Sequence, residues 1–218
     1  MVAFALVTEG ITDQAVLENI LCGWFDDVEI NPLNPLRDAT DAHRAASFSN
    51  WEKVFEYCQQ DEFKASLQFN EFVIVQIDTD TAEHPNFNVA LTNHGVERPL
   101  VEIIAAVKQL IVQKIGNDFY LQYQAQILIA VAVHSTECWL LPLYLSGKMG
   151  EQVMNCHDRL SRALDKKGDD ASKNHQNYER LSKDFRKRKN LLATAQRNES
   201  LNDFVTQLQN LSLGASAN

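Results

Sequence analysis

The chain has 218 residues, 45% hydrophobic and 22% charged, with a formal net charge of −9. That length and apolar share support one sizeable buried core and exclude a largely disordered chain. No stretch reaches the ~18 apolar residues of a membrane span, and the N-terminal apolar run stops at Glu9 without the marks of a signal peptide. The expectation is a cytoplasmic protein with no membrane partner.

The first element is a strand over about 3–8, from the run Ala3-Phe4-Ala5-Leu6-Val7. It ends at Glu9, and the turn Glu9-Gly10-Ile11-Thr12-Asp13 opens a helix over 12–25 with Thr12 as N-cap. Val16, Leu17, Ile20, Leu21 and Trp24 share one face of that helix. A second strand is expected over 28–33, stopped by Asn31-Pro32 and Asn34-Pro35. A helix over 51–60 follows, capped near Ser49 or Asn50.

The run Phe72-Val73-Ile74-Val75-Gln76-Ile77 predicts a strand over 71–78 that ends in Asp78-Thr79-Asp80. The polar stretch after it, to about Gly95, reads as a long functional or mobile loop. A helix is predicted over 99–116, with Pro99 in its first turn. A fourth strand, 127–133, leads through His134-Ser135-Thr136-Glu137 into a helix with Trp139, Leu140 and Leu143. Residues 150–211 read as three or four helices, broken at Lys167-Gly168-Asp169-Asp170 and Arg197-Asn198-Glu199-Ser200, before a flexible tail.

These strands are continuously apolar rather than alternating. That pattern implies a parallel sheet of about four strands, covered on both faces by crossover helices. The organisation expected is an α/β domain over 1–148, a basic helical extension over 149–211 packed on it, and a tail over 212–218. In an open parallel sheet, ligands bind at the C-terminal ends of the strands. Glu9, Asp78, Asp80, Ser135 and Glu137 would meet there. Carboxylates crowded together need a counter-charge, and hard oxygen ligands suit Mg²⁺ or Mn²⁺.

Charge is unevenly spread. Residues 157–197 hold twelve of the twenty Lys and Arg against six acids, a local net of +6, which leaves −15 on the rest. The basic segment, with Lys173, Arg186, Lys187, Arg188 and Lys189, could follow a phosphate backbone or form a solvated face. The cysteines Cys22, Cys58, Cys138 and Cys156 contain no C-x-x-C pair, so reduced thiols are expected rather than a structural zinc site. Plainer readings exist for the acids. Glu9, Asp13 and Glu137 could be helix N-terminal acids, and Asp78 and Asp80 turn residues. No P-loop or dinucleotide-binding glycine motif occurs.

Thr8-Glu9-Gly10-Ile11-Thr12-Asp13 with Ala15-Val16-Leu17 behind it resembles the glutamate motif of Toprim domains, and Ile77-Asp78-Thr79-Asp80 resembles their D-x-D motif. The form is most similar to the overcoming-lysogenization-defect (OLD) branch of nucleases. His134-Ser135-Thr136-Glu137-Cys138-Trp139-Leu140-Leu141 is similar to a segment of small stand-alone Toprim-like proteins. The resemblance covers about residues 3–145. It implies a Toprim-like, Rossmann-like fold and metal-dependent cleavage of DNA or RNA phosphodiester bonds.

On the same resemblance, Glu9, Asp78 and Asp80 are catalytic metal ligands, Glu9 can act as general base or acid, and Asp13, Ser135 and Glu137 help hold one or two Mg²⁺ or Mn²⁺ ions. A basic side chain, Lys173, Lys187 or Lys189, would stabilise developing charge. A separately encoded ATPase or sensor, as in phage-defence systems, is the implied partner, and a homo-oligomer is compatible. Two alternatives stay open. Asp78-Thr79-Asp80-Thr81 also resembles the nucleophile motif of haloacid-dehalogenase-like phosphatases, and a Toprim-like fold can be a non-catalytic binding module for nucleic acid or protein.

Overall fold

Three segments of the chain are apolar at successive positions, as a strand covered on both faces must be. In the computed structural model, which describes residues 1–47, 50–151 and 153–215, they lie side by side in one sheet. The first half of the chain forms β1 (Val2–Val7), α1 (Ile11–Trp24), β2 (Val28–Asn34), α2 (Trp51–Cys58), α3 (Asp61–Ser66) and β3 (Phe72–Asp78). Next come the two-residue strands β4 (Thr92–Asn93) and β5 (Val96–Glu97), α4 (Leu100–Ile115), α5 (Asn117–Tyr123) and β6 (Ile127–Ala132). The remainder is helical: α6 (Glu137–Tyr144), α7 (Cys156–Asp165), α8 (His175–Leu181), α9 (Arg188–Ala195) and α10 (Glu199–Ala215), with 3-10 turns at Gly147–Gly150 and Lys183–Arg186.

The main sheet is parallel throughout, in the order β2-β1-β3-β6. The fold is therefore α/β and Rossmann-like. From β1 the chain goes to β2 on one side and later to β3 on the other. The topological switch point, where such sheets open a crevice, lies between β1 and β3.

Alternate residues of each strand feed two cores. Phe4, Leu6, Ile74, Leu128 and Ala130 pack against α1, α6 and the C-terminal helices, including Leu160, Tyr178, Phe185 and Phe204. Val7, Val75, Ile77 and Ile129 pack against α2 and α4 through Val54, Phe55, Ile104, Val107 and Ile111. Residues 149–211 thus supply much of one of the two layers on the sheet. Burying each of these large side chains contributes roughly 1.5–3 kcal/mol. α10 is pinned directly to β6: the Gln207 amide donates to the Ile129 carbonyl at 2.9 Å and accepts from the Ile129 N–H at 3.0 Å. At Gly23, α1 approaches the 183–186 turn so closely that a Cβ would lie 2.0 Å from the Phe185 carbonyl oxygen.

Several local expectations change. Gly10, not Thr12, is the N-cap of α1, and it makes no side-chain cap bond. Asn50 caps α2, its side chain accepting from the Lys53 N–H; Ser49 lies outside the described residues. Asn31-Pro32 does not stop β2. β2 pairs only with β1, so the missing N–H of Pro32 is tolerated, and the register shifts beside it. The stretch 79–95 is not structureless. It buries Ala82, Phe87 and Val89, and β4 and β5 pair antiparallel across His94 and Gly95, both at positive φ. Helix α10 extends through Ala215, so the start of the expected tail is helical, while residues 216–218 lie outside the described residues.

The cysteine expectation is overturned for one pair. Cys138 in the first turn of α6 and Cys156 at the start of α7 form a disulfide; Cys58 is a buried free thiol and Cys22 an exposed one. The pairing was hidden because it depends on α6 packing against α7, not on spacing in the chain. The bridge closes a loop of 18 residues. Cys156→Ser should therefore lower stability by about 3 kcal/mol more in oxidising buffer than under reducing conditions. Denaturant unfolding with and without dithiothreitol measures the difference. Among the described residues, no helix is long and apolar enough to cross a membrane.

Candidate functional site

Each acid is delivered by the end of a strand or the start of the helix after it. β1 ends at Val7, and Thr8 fixes the turn by donating to the Gly10 carbonyl at 2.9 Å. This places Glu9 at the sheet edge and Asp13 in the first turn of α1. β3 brings Asp78 to the same edge. Beyond β6, His134 turns the chain at φ 63° and its N–H donates to Thr79 Oγ1 at 2.8 Å, which ties the two strand ends together. α6 then opens with Glu137.

Glu9 and Asp78 meet across the switch point. Glu9 Oε1 accepts the Asp78 backbone N–H at 2.8 Å. Gln76, the single polar residue inside the β3 run, donates from Nε2 to Asp78 Oδ1 at 2.8 Å and to Thr136 Oγ1 at 3.2 Å. Thr136 Oγ1 donates to Asp13 Oδ1 at 2.7 Å and lies 3.2 Å from Asp78 Oδ1. Glu137, 3% exposed, accepts at Oε1 from Lys173 Nζ at 2.8 Å and from the Tyr178 hydroxyl, with His157 Nδ1 3.8 Å away.

The charges divide the site in two. Burial first, then the Asp13 charge, pushes Glu9 up to about 8, against the N–H groups of Asp78 and Trp51 that favour its ionised form. Burial raises Asp13 to about 6, although the Thr136 hydroxyl opposes the rise. Asp78 is driven well above the carboxylate range by burial and by the charges of Asp13, Glu9 and Glu137. Burial would raise Glu137 too, but the Lys173 ammonium overrides it and holds Glu137 down at about 2. Glu137 thus has its cation in direct contact, while Glu9, Asp13 and Asp78 crowd one another and hold on to protons instead.

The remaining expected ligands lie at the margin. Asp80 is exposed, its N–H bonded to the His134 carbonyl at 3.0 Å, and its charge still reaches Glu9. Ser135 hydrogen-bonds Glu137. The oxygens of Glu9, Asp78 and Asp80 do not converge on one point; among the described residues, only His43, His175 and Glu179 bring three ligand atoms within 4.8 Å of one another.

Of the basic residues, Lys173 alone joins the acidic rim. Arg186 donates to Asn19 and pairs with Glu179, Lys187 pairs with Asp184, and Arg188 stacks 3.8 Å above Trp24. Trp24 ends α1, eleven residues from Asp13, or roughly 16 Å along the helix at 1.5 Å per residue. Arg188 and the neighbouring Lys189 therefore sit away from the carboxylates. Sequence reasoning missed Gln76, Thr136 and Tyr178. Gln76 did leave a signal, a polar break in a fully buried strand.

Lys173→Met should strand the buried Glu137 carboxylate and lower stability by about 1–2 kcal/mol at neutral pH, whereas Lys189→Met should shift it by less than about 0.5 kcal/mol. Denaturant unfolding of the two variants separates the cases. No protein-family model, no curated protein and no solved structure matches the chain.

Proposed function

We propose that the chain is a Toprim-like nuclease that cleaves DNA or RNA phosphodiester bonds with the help of Mg²⁺ or Mn²⁺. The observation that carries this reading is the contact of Glu9 with Asp78 across the switch point, 69 positions apart in sequence. Glu9 takes the Asp78 main-chain N–H while crowded by the Asp13 and Asp80 charges, and Asp78 is crowded by Asp13, Glu9 and Glu137; acids gathered this closely, with raised proton affinities, are a costly arrangement for a purely structural purpose. A divalent cation offsets that cost, and the all-oxygen donor set of Glu9, Asp13, Asp78 and Asp80 fits one. These four residues would hold the ion, with Asp80 turned inward from its exposed position.

When bound, the ion supplies Lewis-acid stabilisation of charge on the phosphate. The chain's own groups do the rest. In the metal-free site burial and the Asp13 charge raise the proton affinity of Glu9, so Glu9 would give up its proton as the ion binds. Gln76 and Thr136 fix the Asp78 carboxylate. Lys173 is the cation nearest the rim, able to face a phosphate oxygen while neutralising Glu137.

The test is incubation of wild type and Glu9→Gln with plasmid DNA and with structured RNA, in Mg²⁺, Mn²⁺ or EDTA. Metal-dependent nicking by wild type that is lost in Glu9→Gln is the expected result. Equal outcomes for the two proteins would sink the proposal. A covalent phosphate trapped on Asp78 would replace it with phosphatase chemistry.

A further inference from the structure

The converging ligand atoms lie outside the acidic rim, on the other side of Gln14 along α1. His43 Nδ1 and His175 Nδ1 face each other at 3.0 Å, and a carboxylate oxygen of Glu179 completes a set with no pair of atoms more than 4.8 Å apart. In a tetrahedral zinc site with bonds of about 2.0–2.1 Å, ligand atoms stand roughly 3.4 Å apart. An imidazole–imidazole hydrogen bond accounts for the two nitrogens, and the Glu179 carboxylate, held on one side by Arg186, stands beside them.

The second ring nitrogen of His175 gives an independent indication. His175 is 3% exposed, and its Nε2 is buried with no hydrogen-bond partner. It points at Glu18 Oε2, 3.6 Å away. Glu18 is held in turn by the Arg37 guanidinium, and Arg37 Nε donates to Gln14 Oε1 at 2.9 Å. A histidine that binds a metal through one nitrogen and turns the other toward a positioned carboxylate has this layout. The Glu18 carboxylate on the Nε2 side and the His43 ring on the Nδ1 side together fix the orientation of this buried imidazole, with Nδ1 turned toward His43 and Glu179. Glu179 keeps one contact of its own, with Arg186 Nη2 at 3.3 Å.

We infer that His43, His175 and Glu179 form a binding site for Zn²⁺ or a similar imidazole-preferring transition metal, distinct from the acidic rim. Imidazole ligands select Zn²⁺, Co²⁺ or Ni²⁺ over Mg²⁺. His43 comes from the segment after β2, which folds back on itself through the Arg37–Ala45 bridge; His175 and Glu179 are on α8. The ion would staple this segment to α8. The same helix presents Tyr178 to Glu137, so the staple would brace one wall of the acidic site.

Co²⁺ serves as the spectroscopic probe and Zn²⁺ as its competitor, on the full chain. On titration with Co²⁺ wild type should develop the visible d–d bands of a low-coordinate nitrogen–oxygen site, the band intensity saturating as one site fills, and lose them when Zn²⁺ is added. His43→Ala, a change at an exposed position, should keep its circular dichroism and weaken Co²⁺ binding by about tenfold or more. Asp78→Asn should retain the bands. Zn²⁺ should raise the melting temperature of wild type but not of His43→Ala. The inference is overturned if wild type binds Co²⁺ no more tightly than His43→Ala, or if the bands vanish in Asp78→Asn and persist in His43→Ala.

Discussion

Asp78→Asn is expected to abolish cleavage and, at the same time, to make the metal-free protein harder to melt. The carboxylate is the most electrostatically crowded of the set, buried and exposed to the charges of Asp13, Glu9 and Glu137. An amide keeps the shape and removes the charge. Cleavage should fall by about a thousandfold, the scale of losing metal-assisted charge stabilisation. Stability above neutral pH should rise by about 1–2 kcal/mol, or roughly 2–8 °C for a chain of this size. Near pH 4 the gain should vanish, because the native carboxyl is then already protonated. Thermal melts at the two pH values, beside a nicking assay, read both effects. A variant that cleaves like wild type would remove Asp78 from the chemistry.

The second large effect is a metal-dependent shift in the pH of greatest stability. Glu9 moves from 4.5 to about 8 on folding and Asp13 from 3.8 to about 6. Between those limits the native state binds more protons than the unfolded chain, so stability falls as pH rises. Glu137 works the other way. Its folded value is about 2, so its contribution is present above 4.5 and is lost as pH falls toward 2. The metal-free protein should therefore be most stable near pH 4 to 5 and lose on the order of a few kcal/mol by pH 8. Mn²⁺ should restore that loss and move the optimum upward. A flat melting profile from pH 5 to 8, unchanged by Mn²⁺, would contradict this account of the acidic pool.

The central sheet was legible because β1, β3 and β6 are covered on both faces, and that leaves apolar residues at successive positions, broken only at Gln76 in β3. α5 was illegible because it is short and none of its residues is fully buried, so Phe119, Tyr120 and Tyr123, which pack only partly on the core, are too few to set a period. Glu9 and Asp78 were readable as strand-end acids, and their meeting followed from a parallel sheet. The links between them were not readable. Thr136 serves Asp13 across 123 positions, and nothing local in His134-Ser135-Thr136-Glu137 marks the hydroxyl out. Lys173 could not be separated from Lys187 and Lys189 by sequence, because the choice rests on where the turn before α8 falls relative to α6. His43 and His175 were further from reach still, 132 positions apart and in contact only after α8 packs on α1.

The borders of the sheet carry one last consequence. At β6 the side-chain amide of Gln207 occupies the main-chain donor and acceptor of Ile129, and at β2 Pro32 offers no donor at all. Neither margin is free to recruit a strand from a second molecule along its whole length. A dimer made by joining two main sheets into one is disfavoured by construction, which leaves helical surfaces, side chains and the exposed β4–β5 hairpin as routes to self-association.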